Sequence, residues 1–331
     1  MQNRASFLKS LAGDTIQVLK TQEYLLKRGV QAEIKNELEI DLEDYQLVHL
    51  FNLIPVLETY QYFCNAKQAG KKIVFSPIYW NPREFLELEE QSDYFRTWYQ
   101  ETMPLREEIL RGVELILPNS WLELAELEKE FKNLPPAVIV PNAAEAFFAT
   151  ANPERFIAKY HCQNFILSVG RICRRKNQLQ LIRAISQTQW KLVLIGPVND
   201  PEYYRECRRA ARPGQVLFLE TMTPLELASA YAAAQVHALV SWYDTPGLVS
   251  LEAALAGCQI VTTERGSPRE YFDDLACYCD PGDLGSILKA LNDAWGRSNS
   301  AALREKILAN YTWERAALET HWGYQAVVDQ N

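Results

Sequence analysis

The chain has 331 residues, 48% hydrophobic and 23% charged, with a formal net charge of −8. That length exceeds one ordinary core and suits two domains of about 150 residues each. The acidic balance speaks against broad nucleic-acid binding, no apolar run approaches the roughly 20 residues of a membrane span, and seven cysteines without a C-x-x-C pair favour neither a disulfide framework nor a zinc site.

The first residues, "MQNRASFLKSLAGD", lack an apolar signal core. The expectation is a cytoplasmic protein, at most peripheral at the inner face of the membrane. "DTIQVLKTQEYLLKRGV" carries apolar residues at helical spacing, with Asp14 as N-cap and Gly29 at the stop. "QAEIKN", "YQLVHLFN", "KKIVFSPIYW", "VELILPNS" and "AVIVPNAA" read as strands, with "LETYQYFCNAKQAG" and "SWLELAELEKEF" as helices between. His49 lies near a strand end in "LVHLFN" and is, with Asn52, a candidate cleft-lining residue.

"ATANPERF" reads as a linker, after which the alternation resumes. "NFILSVGRI", "WKLVLIGPV", "QVLFLET", "QVHALVS" and "QIVTT" are strand-like, separated by "NQLQLIRAISQT", "PEYYRECRRAAR", "PLELASAYAAA" and "GLVSLEAALAG" as helices. Such alternation predicts an α/β protein with doubly wound parallel sheets, whose ligands sit beyond the carboxyl ends of the strands. His237 falls mid-strand and reads as core. Cys277 and Cys279 face one side of a strand.

Three strand ends carry chemistry. In "SVGRICRRKN", Gly170 permits a turn, and Arg171 and Lys176 are two cations suited to a diphosphate. Arg174 and Arg175 read as a solvated basic loop. In "SWYDTPGLVSLEAALAG", Asp244 precedes a Thr-Pro-Gly turn and Glu252 follows eight residues later. Gly247, Leu248 and Val249 open the next helix, so their amides can meet an anion. Glu252 is a charge amid apolar neighbours and needs a partner. A carboxylate there can accept the two vicinal hydroxyls of a ribose.

These motifs, with "GSPREYF" and "YCDPGD", resemble the donor-nucleotide domain of retaining glycosyltransferases of family 4, which have the GT-B fold; the similarity is dense from Asn164 to Asp283. The resemblance implies two Rossmann-like domains facing a cleft: residues 1–145 on the acceptor side, residues 146–310 for a nucleotide sugar, and a last helix, residues 311–331, crossing back to the first domain. It gives Arg171 and Lys176 to the donor diphosphate, Glu252 to the ribose, Asp244 to the donor sugar, and Gly13 to a loop beside the donor. The reaction implied is transfer of a sugar from a UDP- or GDP-sugar to a glycan, lipid or small-molecule acceptor, with retention and without a cofactor or an essential metal. Three departures stand out: the first acid is Asp244 where the family usually has Glu, "SPIYW" holds no His, and only "RASFLKS" is available as a first strand. The first bears on the identity of the donor sugar; the last two motivate a second reading, a nucleotide-sugar-binding protein without transferase activity. No G-x-G-x-x-G follows a strand, which disfavours a nicotinamide-dependent dehydrogenase.

Overall fold

The computed structural model describes residues 13–37, 40–88, 93–297 and 301–329; the expected strand "RASFLKS" and the segment before Gly13 lie outside them. The chain divides into two compact units: residues 1–142 with 313–331, and residues 143–312.

The first unit holds a parallel sheet of order β1-β2-β3, formed by β1 (Leu47–Phe51), β2 (Lys72–Ser76) and β3 (Leu115–Ile116). Pro77 and Pro118 follow β2 and β3 and lack the amide needed to extend a ladder. Two expected strands fail. "QAEIKN" joins no sheet among the described residues: Glu33 is tied to Lys35 and to the Tyr45 hydroxyl at the surface. "AVIVPNAA" runs beside β3, Val138 and Val140 donating to Ile116 and Pro118 carbonyls, but it forms only isolated bridges, Ala137 with Ile116 and Ala144 with Thr312. The region from Arg83 to Gly112 forms three helices, Arg83–Leu88, Asp93–Glu101 and Met103–Gly112. The C-terminal helix Trp313–Val328 belongs to this unit. It packs on helix Gly13–Lys27 and on β2, and Lys72 Nζ caps its Val327 carbonyl at 2.8 Å. Gly323 faces Leu117 and Leu115, where an added Cβ would come within 3.0 and 3.2 Å.

The second unit holds a six-stranded parallel sheet of order β6-β5-β4-β7-β8-β9. The strands are β4 (Ile166–Val169), β5 (Leu192–Ile195), β6 (Val216–Leu219), β7 (Val236–Leu239), β8 (Gln259–Thr263) and β9 (Cys277–Cys279). Both faces are covered by helices, so the strands read as unbroken apolar runs. In β5, Leu192 and Leu194 join one core cluster while Val193 and Ile195 join the other. "ATANPERF" is no linker: Phe148 just before it and Phe156 at its end enter this core, each 3% exposed. Cys277 and Cys279 are buried on one face of β9, whereas Cys64 and Cys173 are only half-buried. The chain winds outward from β4 to β6 in one direction and from β7 to β9 in the other. The strand order therefore reverses between β4 and β7, where a doubly wound sheet opens a binding crevice.

Candidate functional site

The loops after β4 and β7 meet at that reversal. After β4 the chain turns at Gly170 (φ 150°) and passes Arg171, whose carbonyl accepts from Gln178 Nε2 at 2.9 Å. It then makes a short 3-10 turn, Arg174–Lys176. Gly196, after β5, lies so close that a Cβ there would fall 2.2 Å from the Gly170 carbonyl oxygen. Asn177 (φ 60°) ends the turn and opens helix Gln178–Ile185. Its Nδ2 donates to the Val240 and Pro281 carbonyls at 3.1 and 2.8 Å, binding three loops together.

Lys176 is delivered into the loop after β7. Its Nζ donates to both carboxylate oxygens of Asp244, at 2.9 and 3.0 Å, and the two side chains are 11% and 8% exposed. Burial pulls the lysine below its ordinary pKa, while the adjacent carboxylate works against that shift. Burial alone would raise the aspartate, but Lys176 and Arg175 together hold its carboxyl below the usual range. Asp244 is thus a fixed anion beside a fixed cation.

Arg174 and Arg175 are not the solvated pair their sequence suggests. Arg175 donates to the Tyr243 carbonyl at 2.7 Å and its own carbonyl accepts from the Trp242 amide at 2.9 Å. It clamps the Asp244 loop. Arg174 pairs with Glu206 at 2.6 Å and lies 5.4 Å over the Tyr203 ring. The Asp244 loop is also held from β8. Gly266 (φ 89°) brings its backbone so near that a Cβ would sit 2.1 Å from the Asp244 carbonyl oxygen, and Ser267 N–H donates to that oxygen at 3.0 Å. Only glycine fits such a contact at positive φ.

Gly247 (φ 89°) heads helix Leu248–Ala256 and offers no side-chain cap; a Cβ there would fall 2.5 Å from Leu239 and 3.8 Å from the Asp244 carboxyl carbon. The helix's positive end, with the Leu248 and Val249 amides, therefore opens beside Asp244 and Lys176. Glu252 lies one turn further in, half-buried, its Oε2 accepting from the Tyr231 hydroxyl at 2.9 Å. Burial pushes its carboxyl up to about 7, against the Tyr231 hydrogen bond and with Glu145 adding to the rise. His237 is core, as its position in the strand implies: it is fully buried, Nδ1 lies 3.4 Å from Ser250 Oγ, and burial pushes the ring down to about 3.

Gly170, Arg171, Lys176, Asp244, Gly247, Leu248, Val249 and Glu252 thus gather in the second unit. Gly13, His49 and Asn52 belong to the first. Gly13 is exposed at the start of its helix, next to Asp14, which sits in the first helical turn and accepts from Asn52 Nδ2 at 2.8 Å. Asn52 (φ 73°) ends β1. His49 is at the middle of β1 rather than its end, bonded to Tyr324 OH at 2.8 Å and Ser76 Oγ at 2.9 Å, its ring stacked 4.0 Å from Phe51. Burial lowers its pKa well below the ordinary histidine value. It lines a cavity of about 320 Å³ within the first unit, between helix Gly13–Lys27, β1 and the C-terminal helix. Sequence reasoning misread Arg175 and missed Tyr231 and Gly266, of which Gly266 left a trace in the quoted "GSPREYF". Among the described residues, no group of three or more His, Cys, Asp or Glu side chains is placed to hold a metal ion, and no helix is long and apolar enough to cross a membrane.

Known proteins share this architecture. The D-inositol 3-phosphate glycosyltransferase of Corynebacterium diphtheriae is 25% identical over 251 residues, covering 67% of this chain and 59% of the relative. The chain therefore spans less than two thirds of that relative's length. Sucrose-phosphate synthase from Thermosynechococcus elongatus superposes with a TM-score of 0.80 at 19% identity, covering 97% of this chain and 94% of that one. Anabaena Alr3699/HepE, solved with UDP and glucose, does so with a TM-score of 0.76 at 13% identity, covering 95% and 96%. At these identities the likeness shows the fold, which is that of GT-B glycosyltransferases. Within it, residues 152–307, the stretch that contains Gly170, Arg171, Lys176, Asp244, Gly247, Leu248, Val249 and Glu252, match the family described as glycosyl transferases group 1.

Proposed function

We propose that the chain is a retaining glycosyltransferase of family 4 that takes a sugar from a UDP- or GDP-sugar and transfers it to a glycan, lipid or small-molecule acceptor without an essential metal. The observation that carries this reading is the convergence, at the strand-order reversal, of a buried Lys176–Asp244 pair, an uncapped glycine-headed helix end and a half-buried Glu252. Arg171 and Lys176, with the Leu248 and Val249 amides, receive the diphosphate and stabilise its charge as it leaves, a task otherwise suited to a divalent cation. Glu252 accepts the ribose hydroxyls. Asp244 fixes Lys176 and faces the donor sugar, and the acceptor is left to the first unit. The protein works in the cytoplasm, at most peripherally on the membrane. The family match and the activities of the relatives support transferase chemistry over simple nucleotide-sugar binding.

The test is a thermal-shift screen of UDP- and GDP-sugars followed by donor turnover, since a ligand that binds only the folded state raises the melting temperature by mass action. A preferred donor that is consumed, with the anomeric configuration kept, supports the reading. Binding without hydrolysis or transfer, over a panel of acceptors, selects the non-catalytic alternative.

A further inference from the structure

Tyr231 lies in helix Pro224–Ala233, where its ring is fully buried. The ring stands edge-on to Phe148 and to His237, with centroids 5.8 Å away in each case. Its hydroxyl reaches out of this aromatic packing and donates to Glu252 Oε2 at 2.9 Å. Phenylalanine would fill the same space with no polar atom to satisfy. A buried hydroxyl is costly unless bonded, so the oxygen is accounted for by what it does to Glu252. The capping box of Thr223 and Glu226 fixes the helix that carries it.

Resting on the proposed role of Glu252 toward a ribose, we propose that Tyr231 is its positioning residue: the phenol holds Oε2 and leaves the other oxygen turned to the nucleotide. The titratable groups facing Glu252 are Tyr231 and Glu145; His237 and Cys258 face Tyr231 in turn. Glu145 disfavours the charge, Tyr231 favours it, and His237 is neutral at any pH used here. The ionised carboxylate accepts from two hydroxyls more strongly, because its hydrogen bonds are charge-assisted and protonation converts one acceptor into a donor. Affinity for a nucleoside diphosphate therefore rises with pH through the Glu252 midpoint. Loss of the Tyr231 bond moves that midpoint upward by about one pH unit, the worth of one charge-assisted hydrogen bond.

The experiment is calorimetric titration of the full chain with UDP and GDP from pH 5.5 to 9. Glu252→Gln supplies the baseline for the nucleotide's own ionisation. Tyr231→Phe is expected to shift the midpoint up. Should Tyr231→Phe fold poorly, 3-fluorotyrosine at position 231 keeps ring and hydroxyl while strengthening the donor, and the midpoint is expected to move down. A wild type whose pH step survives in Tyr231→Phe at the same midpoint, or does not respond to 3-fluorotyrosine, overturns the inference alone. Wild-type binding whose pH course matches Glu252→Gln also overturns it. A wild type that binds neither nucleotide at any pH overturns the reading of the site and the inference with it.

Discussion

Breaking the Lys176–Asp244 pair one side at a time tests whether the site's charges hold each other in place. Lys176→Met keeps the stem and removes the ammonium. The ions are 2.9 Å apart and about nine-tenths buried, a separation at which attraction in a partly polar interior is about 5 kcal/mol. Much of that offsets desolvation, so the informative quantity is what remains after one partner is lost. Removing one member of a buried pair costs about 3–5 kcal/mol, because the other is left buried and alone. For a unit of this size that corresponds to about 6–20 °C in melting temperature. The two single variants differ in pH dependence. In Lys176→Met, Asp244 loses the cation that lowers its pKa, so the penalty shrinks as pH falls and the acid goes neutral. In Asp244→Asn, burial already lowers Lys176, so the penalty shrinks as pH rises and the amine loses its proton. The double variant should cost far less than the sum of the singles. The assay is urea unfolding of the four proteins at pH 5, 7 and 9, following the transition of the second unit. Single-variant costs that add to the double within about 0.5 kcal/mol, or that ignore pH, would refute the reasoning.

Other outcomes follow from the same geometry. Arg175→Ala removes the hold on the Tyr243 carbonyl, so it should lower UDP or GDP affinity about tenfold by calorimetry although Arg175 is assigned no contact with the nucleotide. Glu252→Gln should bind nucleotide weakly yet gain stability. With the carboxyl raised from 4.5 to about 7, the unfolded chain releases its proton first, so wild-type stability falls by up to about 3 kcal/mol between pH 4.5 and 7; the variant's urea midpoints should lack that fall. If fixed cations carry the leaving group as proposed, donor turnover should change less than about twofold in EDTA; loss restored by Mg²⁺ or Mn²⁺ would overturn the proposed metal-free mechanism.

The second unit was legible because burial on both faces writes each parallel strand as an apolar run, and each run ended at residues with a turn role. Gly170, Gly247 and the helix stop at Gly257 stand where the pattern put them. The first unit was less legible for the same reason in reverse. β3 has two residues before Pro118 stops it, and "QAEIKN" has strand-like alternation but spends its charges on its own surface partners. His49 looked like a strand-end residue because the apolar run stops soon after it; the register with Val74 puts it at the centre of the strand. The roles of Arg175 and Tyr231 were not legible. Their contacts join residues 68 and 21 positions apart, and the chain between them carries no spacing rule that pairs them.

The two acids of the Asp-x7-Glu stretch show why their identity in sequence is not identity in chemistry. Both are carboxylates withdrawn from water, so desolvation pushes each toward neutrality. Asp244 meets a full cation at 2.9 Å and stays charged; Glu252 meets only a phenol and sits near pH 7. The first acid is therefore built to be constant and the second to respond. A constant anion suits a residue that must fix Lys176 whether or not a donor is bound. A carboxylate near its midpoint suits a group that two incoming hydroxyls complete, since they supply the hydrogen bonds its burial withholds. Tyr231 sets how close to that midpoint the free site stands, and the apolar run of Leu248–Ala256, which at first seems only a helix, is what makes the adjustment necessary.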